Sequence, residues 1–173
     1  MPQLIILILL VLFFLPIVRN SIIAAPPLGT KSKDVRRLIE AAKIQAGEVV
    51  FDLGAGDGRL IIAAAREHPQ AQIVGYELSP LHYVWCRLRL AIGGCRQAKV
   101  RFKDFYQVDF GQADVVLCFL TPGALAKLRT KFEQEMRPGA RFVSYIFPFE
   151  DLVPTEENRP TLQDLPIYVY EKV

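Results

Sequence analysis

Histidine is scarce in this chain of 173 residues, with His68 and His82 the only two. The three cysteines, Cys86, Cys95 and Cys118, form no CxxC pair. Together these residues give no zinc-ligand spacing, so no metal is expected. The odd cysteine count argues against a disulfide framework and for buried thiols in a reducing compartment. A net charge of +3 is too mild for a nucleic-acid footprint, so no nucleic-acid partner is expected. Internal repeats are lacking, and no low-complexity tract lies beyond the first two dozen residues. Both histidines fall in expected helices and take no catalytic role, and no other residue stands out as a general base.

What is abundant is apolar residue, 51% of the chain. Much of it sits in residues 2–18, PQLIILILLVLFFLPIV, where Gln3 is the strongly polar exception. Arg19, Asn20 and Ser21 interrupt the run and IIAA follows. At about 1.5 Å per residue, residues 4–18 fall slightly short of a ~30 Å hydrocarbon core. Adding residues 22–25, with Arg19 snorkelling, gives a full span, which Pro16 would kink. A cleaved signal peptide is the rival reading. It needs a basic start, and no Lys or Arg precedes the run. Residues 1–25 are therefore expected to be a single-pass membrane anchor, and 26–173 the folded domain. The basic residues Arg19, Lys31, Lys33, Arg36 and Arg37 follow the run, which places that domain in the cytoplasm. The stretch from Lys31 to Arg37 is expected to be a solvated helix face near anionic lipid.

From residue 32 onward, strands and helices alternate. Helix is expected over 34–44, capped by Ser32 or Asp34, and over 59–67, 80–92 and 123–136. Strand is expected over 49–53, 72–78, 99–105, 114–120, 140–147 and 167–173, the last paired antiparallel with 161–165. Continuous apolar strands between helices imply an α/β fold. The expectation is a doubly wound, Rossmann-like, mostly parallel sheet with helices on both faces and a C-terminal antiparallel strand, preceded by one N-terminal hydrophobic helix.

The chemistry-bearing stretch is VVFDLGAGDGRL, residues 49–60. In such a sheet, ligands bind beyond the carboxyl ends of the strands. Gly54, Ala55, Gly56, Asp57 and Gly58 form the loop at one such end, where glycines let a ligand approach the backbone. A dinucleotide fingerprint, G-x-G-x-x-G, would need glycine where Arg59 stands. Asp52 before the loop and Asp57 within it repel a pyrophosphate but welcome a cation. S-adenosylmethionine (SAM) has a sulfonium, an ammonium and no phosphate. Asp52 can hold its amino-acid end, with Leu53 and the loop closing on that end and on the ribose. Glu77, with Leu78 beside it, closes the second strand and can accept both ribose hydroxyls. Asp104 closes the third strand and can accept from the adenine amine, with Phe105 packing on the ring. A purely structural reading would need three coincident acids at three successive strand ends.

These residues resemble the class I, seven-β-strand SAM-dependent methyltransferases over about residues 32–173. DLGAGDGR is similar to that class's first motif and GYELSP to its second, acidic one. Within the class the chain most resembles small, membrane-anchored protein-lysine methyltransferases of the mitochondrial type and their prokaryotic relatives. Tyr83-Val84-Trp85, RFKDFYQVDFGQADVV, FLTP and RPGARFVS carry that likeness. The group's lid segment, similar to P-Y-V-P-T, corresponds here to PLGTK at 27–31, without the tyrosine and the second proline. Ser79 stands where the group often has Asn.

The resemblance implies methyl transfer from SAM, with a protein lysine as acceptor at a membrane surface. Phe105, Tyr106, Phe119 and Tyr145 can line an aromatic channel for the amine, although Tyr145 is better read as core. Leu120, Thr121 and Pro122 can orient it. Methyltransferases acting on nucleic-acid or glutamine amines often carry Asp/Asn-Pro-Pro-aromatic at that turn, and this chain does not. Alternatives left open are a small-molecule or lipid methyltransferase and a non-catalytic SAM-binding module. An NAD oxidoreductase fails at Arg59.

Overall fold

The computed structural model describes residues 3–8, 15 and 29–173. Most of the expected anchor, 1–25, lies outside the described residues. Residues 3–8 are helical and exposed, and among the described residues no helix is long and apolar enough to cross a membrane.

Seven strands form one sheet: β1 (Val49–Leu53), β2 (Gln72–Glu77), β3 (Ala98–Phe102), β4 (Val115–Cys118), β5 (Arg141–Tyr145), β6 (Glu156–Asn158) and β7 (Ile167–Glu171). Their order is β3-β2-β1-β4-β5-β7-β6, parallel from β3 to β5, with β7 antiparallel to both neighbours. Within residues 29–173 the α-helices are α1 (Ser32–Ala42), α2 (Arg59–Glu67), α3 (Pro80–Ile92) and α4 (Pro122–Glu135). The chain leaves β1 toward β2 and β3, then returns to β4 on the other side. The carboxyl ends of β1 and β4 therefore flank the topological switch point, where open α/β sheets bind ligands.

Side-chain parity along the strands builds two cores. Val50, Ile73, Val115, Leu117, Val143 and Tyr145 face α1, α2 and α3, meeting Leu38, Ile39, Ile61 and Cys86. Phe51, Leu53, Tyr76, Val116, Cys118 and Phe142 face α4, meeting Leu125, Leu128 and Phe132. The doubly wound sheet is thus as expected, though the second face carries one helix and two short 3-10 turns, Phe105–Gln107 and Phe110–Gln112. Cys86, Cys95 and Cys118 are free and buried. Burial pushes the thiols of Cys86 and Cys118 up to about 12, so both stay protonated.

Three expectations are corrected. The third strand ends at Phe102, because the Asp104 carboxylate accepts the Tyr106 N–H at 2.9 Å and starts a 3-10 turn. The stretch 161–165 is a turn, closed by Thr161 Oγ1 donating to Asp164 Oδ2 at 2.8 Å. The partners of β7 are instead β5 and β6. Helix α1 begins after Lys31 with no side-chain cap, so neither Ser32 nor Asp34 caps it.

Asp34 has a different task. It is fully buried, accepting the Tyr145 hydroxyl at 2.6 Å and Arg37 at 2.7 Å. Burial opposes its ionisation, but those two donors and the Arg37 charge outweigh it and hold the carboxyl below its usual range. Arg37 also donates to the Leu165 carbonyl and to both oxygens of Asn158. The Lys31-to-Arg37 stretch is therefore not a free cationic face. Arg37 is half-buried, Lys33 pairs with Asp164 at 2.9 Å and Arg36 with Glu40 at 2.9 Å. The cluster staples α1 to β5, β6 and the segment before β7.

Tyr145→Phe removes one donor from a buried carboxylate. The expected cost is about 1–3 kcal/mol, read as a lower urea midpoint with unchanged slope. An unchanged midpoint would contradict the staple.

Candidate functional site

The loop after β1 is shaped by glycine. Gly54, Gly56 and Gly58 have φ of 80°, 55° and 77°, left-handed values that other residues adopt at a cost. Two glycines are also required by space. A Cβ on Gly75 of β2 would lie 2.7 Å from Ala55 Cβ, and one on Gly58 would lie 2.6 Å from Cys86 Sγ. The loop therefore rests directly on β2 and on α3. The N–H groups of Gly54 and Ala55 both donate to the Tyr76 carbonyl, at 2.9 and 3.0 Å. Leu53, the last residue of β1, is fully buried beneath it.

Glu77 clamps the loop from β2. Its Oε2 accepts the Gly56 N–H at 2.8 Å and its Oε1 accepts the Ser79 N–H at 2.7 Å. Each oxygen keeps acceptor capacity for a further donor. Leu78, the next residue, is 38% exposed at the rim. Asp52 lies between Gly75 and Leu117 in the register, 4% exposed. Among the described residues no donor reaches its carboxyl group. Burial, then the charges of Glu77 and Asp57, push it up to about 7. A cation placed beside it would favour the ionised form.

Asp57 behaves otherwise than expected. It does not await a cation, because two arginines already neutralise it. Arg59 meets it at 3.0 Å and Arg89 of α3 at 2.7 Å. Burial opposes its ionisation, but the Arg59 hydrogen bonds and both arginine charges win and hold the carboxyl low. Arg59 further donates to the Thr30 carbonyl at 2.7 Å, and a Cβ on Gly29 would lie 2.8 Å from its Cζ. The segment before α1 is thus tied to the glycine loop without the tyrosine that the resemblance supplies there. From the sequence, Arg59 showed itself only as the residue that breaks the dinucleotide fingerprint, and Arg89 gave no signal.

The other expected residues divide. Asp104 opens the turn beyond β3, two residues past the strand end it was expected to close. Phe105 is 6% exposed in the second core, so its ring is mainly packing. Tyr106 is half-buried beside it, its centroid 4.5 Å from that of Phe105, and its buried hydroxyl has no partner among the described residues. Phe119, after β4, stacks edge-on against Tyr145 at 5.0 Å. Leu120 is buried, its Cδ2 3.8 Å from where a Gly54 Cβ would lie. Thr121 caps α4 by accepting the Ala124 N–H at 3.4 Å, and Pro122 opens that helix. One feature gave no sequence signal. Ile146, just past β5, has φ 74°, a strained value for a β-branched residue, and sits beside Tyr145.

The acceptor set suits a ligand with a cation and a vicinal diol. Asp52 is a buried carboxyl group that no donor among the described residues reaches, and Glu77 has spare acceptor capacity. The glycine cradle admits close approach. These features fit SAM, and the acids disfavour a phosphate-bearing ligand.

Comparison with known proteins agrees. The ANTKMT methyltransferase domain matches residues 52–156. A protein-lysine N-methyltransferase of Saccharolobus islandicus is 36% identical over 137 residues, 76% of this chain and 82% of that protein. A lysine N-methyltransferase of Mus musculus, named for ATP synthase, is 35% identical over 143 residues, 82% of this chain. This chain spans only 56% of that enzyme's length. Among solved structures, the RNA methyltransferase from Salinibacter ruber in complex with S-adenosyl-L-homocysteine superposes with a TM-score of 0.78. It is 30% identical, and the match covers 83% of this chain and 93% of that one.

Asp52 carries a stability prediction whose sign is fixed. Its carboxyl is raised from 3.8 to about 7 in the fold, so the stability it contributes is complete below 3.8 and lost as pH rises through 7. Asp52→Asn has no charge to bury. At pH 8 it should be more stable than the parent, by at most on the order of 4 kcal/mol, the advantage fading toward pH 4. Urea midpoints across that range measure it. A variant less stable than the parent at pH 8 would contradict the buried, donor-free carboxyl.

Proposed function

The chain belongs to the family of the ANTKMT methyltransferase domain, and on that premise we propose that it methylates the side-chain amine of a protein lysine at a membrane surface. It is a SAM-dependent methyltransferase by that membership. The observation that supports this placement of the cofactor is the Asp52 carboxyl, which no donor among the described residues reaches, beside Glu77 and beneath a glycine loop at the switch point. Asp52 would take the amino-acid end of SAM, Glu77 the ribose hydroxyls and Asp104 the adenine amine. SAM supplies an electrophilic methyl group at its sulfonium.

The chain's own residues must do the rest. An amine has to lie about 3–3.5 Å from the methyl carbon and in line with the bond that breaks. It must also be neutral, against a reference pKa near 10.4. Apolar surroundings lower that value, and Phe119, two residues before Thr121, would supply them beside the turn at Thr121 and Pro122. The relatives named as lysine methyltransferases support lysine as acceptor. The Salinibacter ruber neighbour gives a second reading, an RNA acceptor. The turn Phe119-Leu120-Thr121-Pro122 lacks the Asp/Asn-Pro-Pro-aromatic sequence common among nucleic-acid amine methyltransferases, which favours lysine. The apolar run at 2–18 supports a membrane-held enzyme, and the basic residues after it support a cytoplasmic catalytic domain.

Equilibrium binding tests the cofactor site. The full chain should bind SAM and not NAD, and Asp52→Ala and Glu77→Ala should each weaken SAM binding tenfold or more, about 1.4 kcal/mol each. Labelled methyl groups from SAM should be recovered in methyllysine after hydrolysis of acceptor proteins. Label in RNA would favour the second reading instead. Affinity should also depend on pH. A bound cation needs ionised Asp52, so SAM affinity should fall by up to about tenfold per unit as pH drops below 7.

A further inference from the structure

Helix α3 carries apolar residues on two opposite sides. Cys86 and Leu90 are buried toward the sheet. Leu81, Val84, Trp85, Leu88 and Ile92 are 66%, 62%, 52%, 49% and 79% exposed. Their spacing of three, four, seven and eleven residues from Leu81 places them in one arc of about 100° on the far side of the helix. A solvated helix of an ordinary α/β domain carries polar residues there. Beside the stripe, Phe102 of edge strand β3 is 51% exposed, its ring 5.4 Å from that of Tyr83.

The charge around this stripe is one-sided. Residues 78–103 contain no Asp or Glu but include Arg87, Arg89, Arg96, Lys99, Arg101 and Lys103. Arg89 is committed to Asp57. The other five are exposed and make no ion pair among the described residues, although Arg87 lies 5.7 Å over the Tyr83 ring. Some exposed cations elsewhere are paired, as in Lys43 with Glu156 and Arg137 with Asp114, while Lys31, Arg66, Lys127 and Arg159 are scattered single charges without an ion pair among the described residues.

We propose that the α3–β3 face docks on an anionic lipid surface. The stripe enters the acyl boundary, and Arg87, Arg96 and Lys103 meet the headgroups, while Lys99 and Arg101, alternating with the α3-facing Ala98 and Val100, lie on the other side of edge strand β3. Exposed apolar residues with a tryptophan among them, rimmed by unpaired cations, are what an interfacial helix requires. Nucleic acid would leave the apolar stripe without a partner. A second copy of the chain would press the same unpaired cations against each other. The face adds to any hold exerted by the N-terminal run and does not depend on the acceptor being lysine. It also orients the enzyme. Helix α3 starts three residues after Glu77, at the carboxyl end of β2, so a docked stripe sets the rim of the crevice beside the bilayer.

Trp85 is the sole tryptophan, so its fluorescence reports α3 even if the N-terminal run also partitions into lipid. The full chain would be mixed with vesicles of brominated phosphatidylcholine, with or without phosphatidylglycerol. In the anionic vesicles, Trp85 emission should shift to the blue and fall by roughly half or more, with high salt reversing both. Neutral vesicles should leave it near its value in buffer. Leu88→Glu should abolish the quenching while keeping the parent's far-ultraviolet circular dichroism. Combining Arg87→Ala, Arg96→Ala and Lys103→Ala should raise the lipid concentration needed several-fold. An unquenched Trp85 in anionic vesicles would overturn the proposal, as would equal quenching in neutral ones. A blue shift that follows protein concentration without lipid would assign the face to self-association and overturn it as well.

Discussion

The site depends on one unfavourable placement, a carboxyl group buried in the central strand that no donor among the described residues reaches. Asp52 could be relieved by a neighbouring arginine, and two arginines stand close by. Both are spent on Asp57 instead. The result separates the acids near the loop. Asp57 is neutralised and holds structure together, while Asp52 and Glu77 keep their capacity for a ligand. A cation placed there recovers the cost of burying Asp52, and a phosphate would add to it. Selectivity for a sulfonium nucleoside over a dinucleotide thus follows from charge as much as from the missing glycine at position 59.

The same residues join the site to the rest of the fold. Arg59 bridges Asp57 to the Thr30 carbonyl, so the glycine loop and the segment before α1 are linked by one side chain. Arg89 reaches the same aspartate from α3. Asp34, Arg37 and Tyr145 fix α1 across the sheet, and Tyr145 in turn packs on Phe119 beside the switch point. Loop, α1 and the end of β5 are therefore connected through buried or half-buried polar contacts, and the end of β4 joins them through the Phe119–Tyr145 ring contact. If α3 docks on lipid as proposed, Arg89 lies on the same helix as that surface.

Local patterns were legible in the sequence. The glycine loop, helices α2 and α3 and strand β1 lie at the expected residues, because turn chemistry and apolar periodicity fix them within a few positions. Positions governed by distant partners were not legible. Asp57 reads as a free acid until Arg89, 32 residues away, is brought onto it. Asp34 reads as a helix cap until Tyr145, 111 residues away, is found against it. The partner of β7 was misassigned because Thr161 and Asp164 close a local turn in place of a strand. The third strand was drawn too long because a single aspartate side chain can end a strand where hydropathy alone would continue it. The exposed face of α3 was hidden for a similar reason. Its sequence is apolar on both sides, and only the structure separates the buried side from the bare one.

The most direct test of the central claim is the proton balance of SAM binding, measured by titration calorimetry near pH 6.5 in buffers of different ionisation enthalpy. Asp52, held at about 7 in the free protein, must ionise to pair with the cation. The account predicts release of most of one proton on binding, and little or none in Asp52→Asn if that variant still binds measurably. SAM binding by the parent with no proton exchanged would mean that Asp52 does not meet the cofactor's charge, and the reading of this site as a cation-selecting crevice would fall.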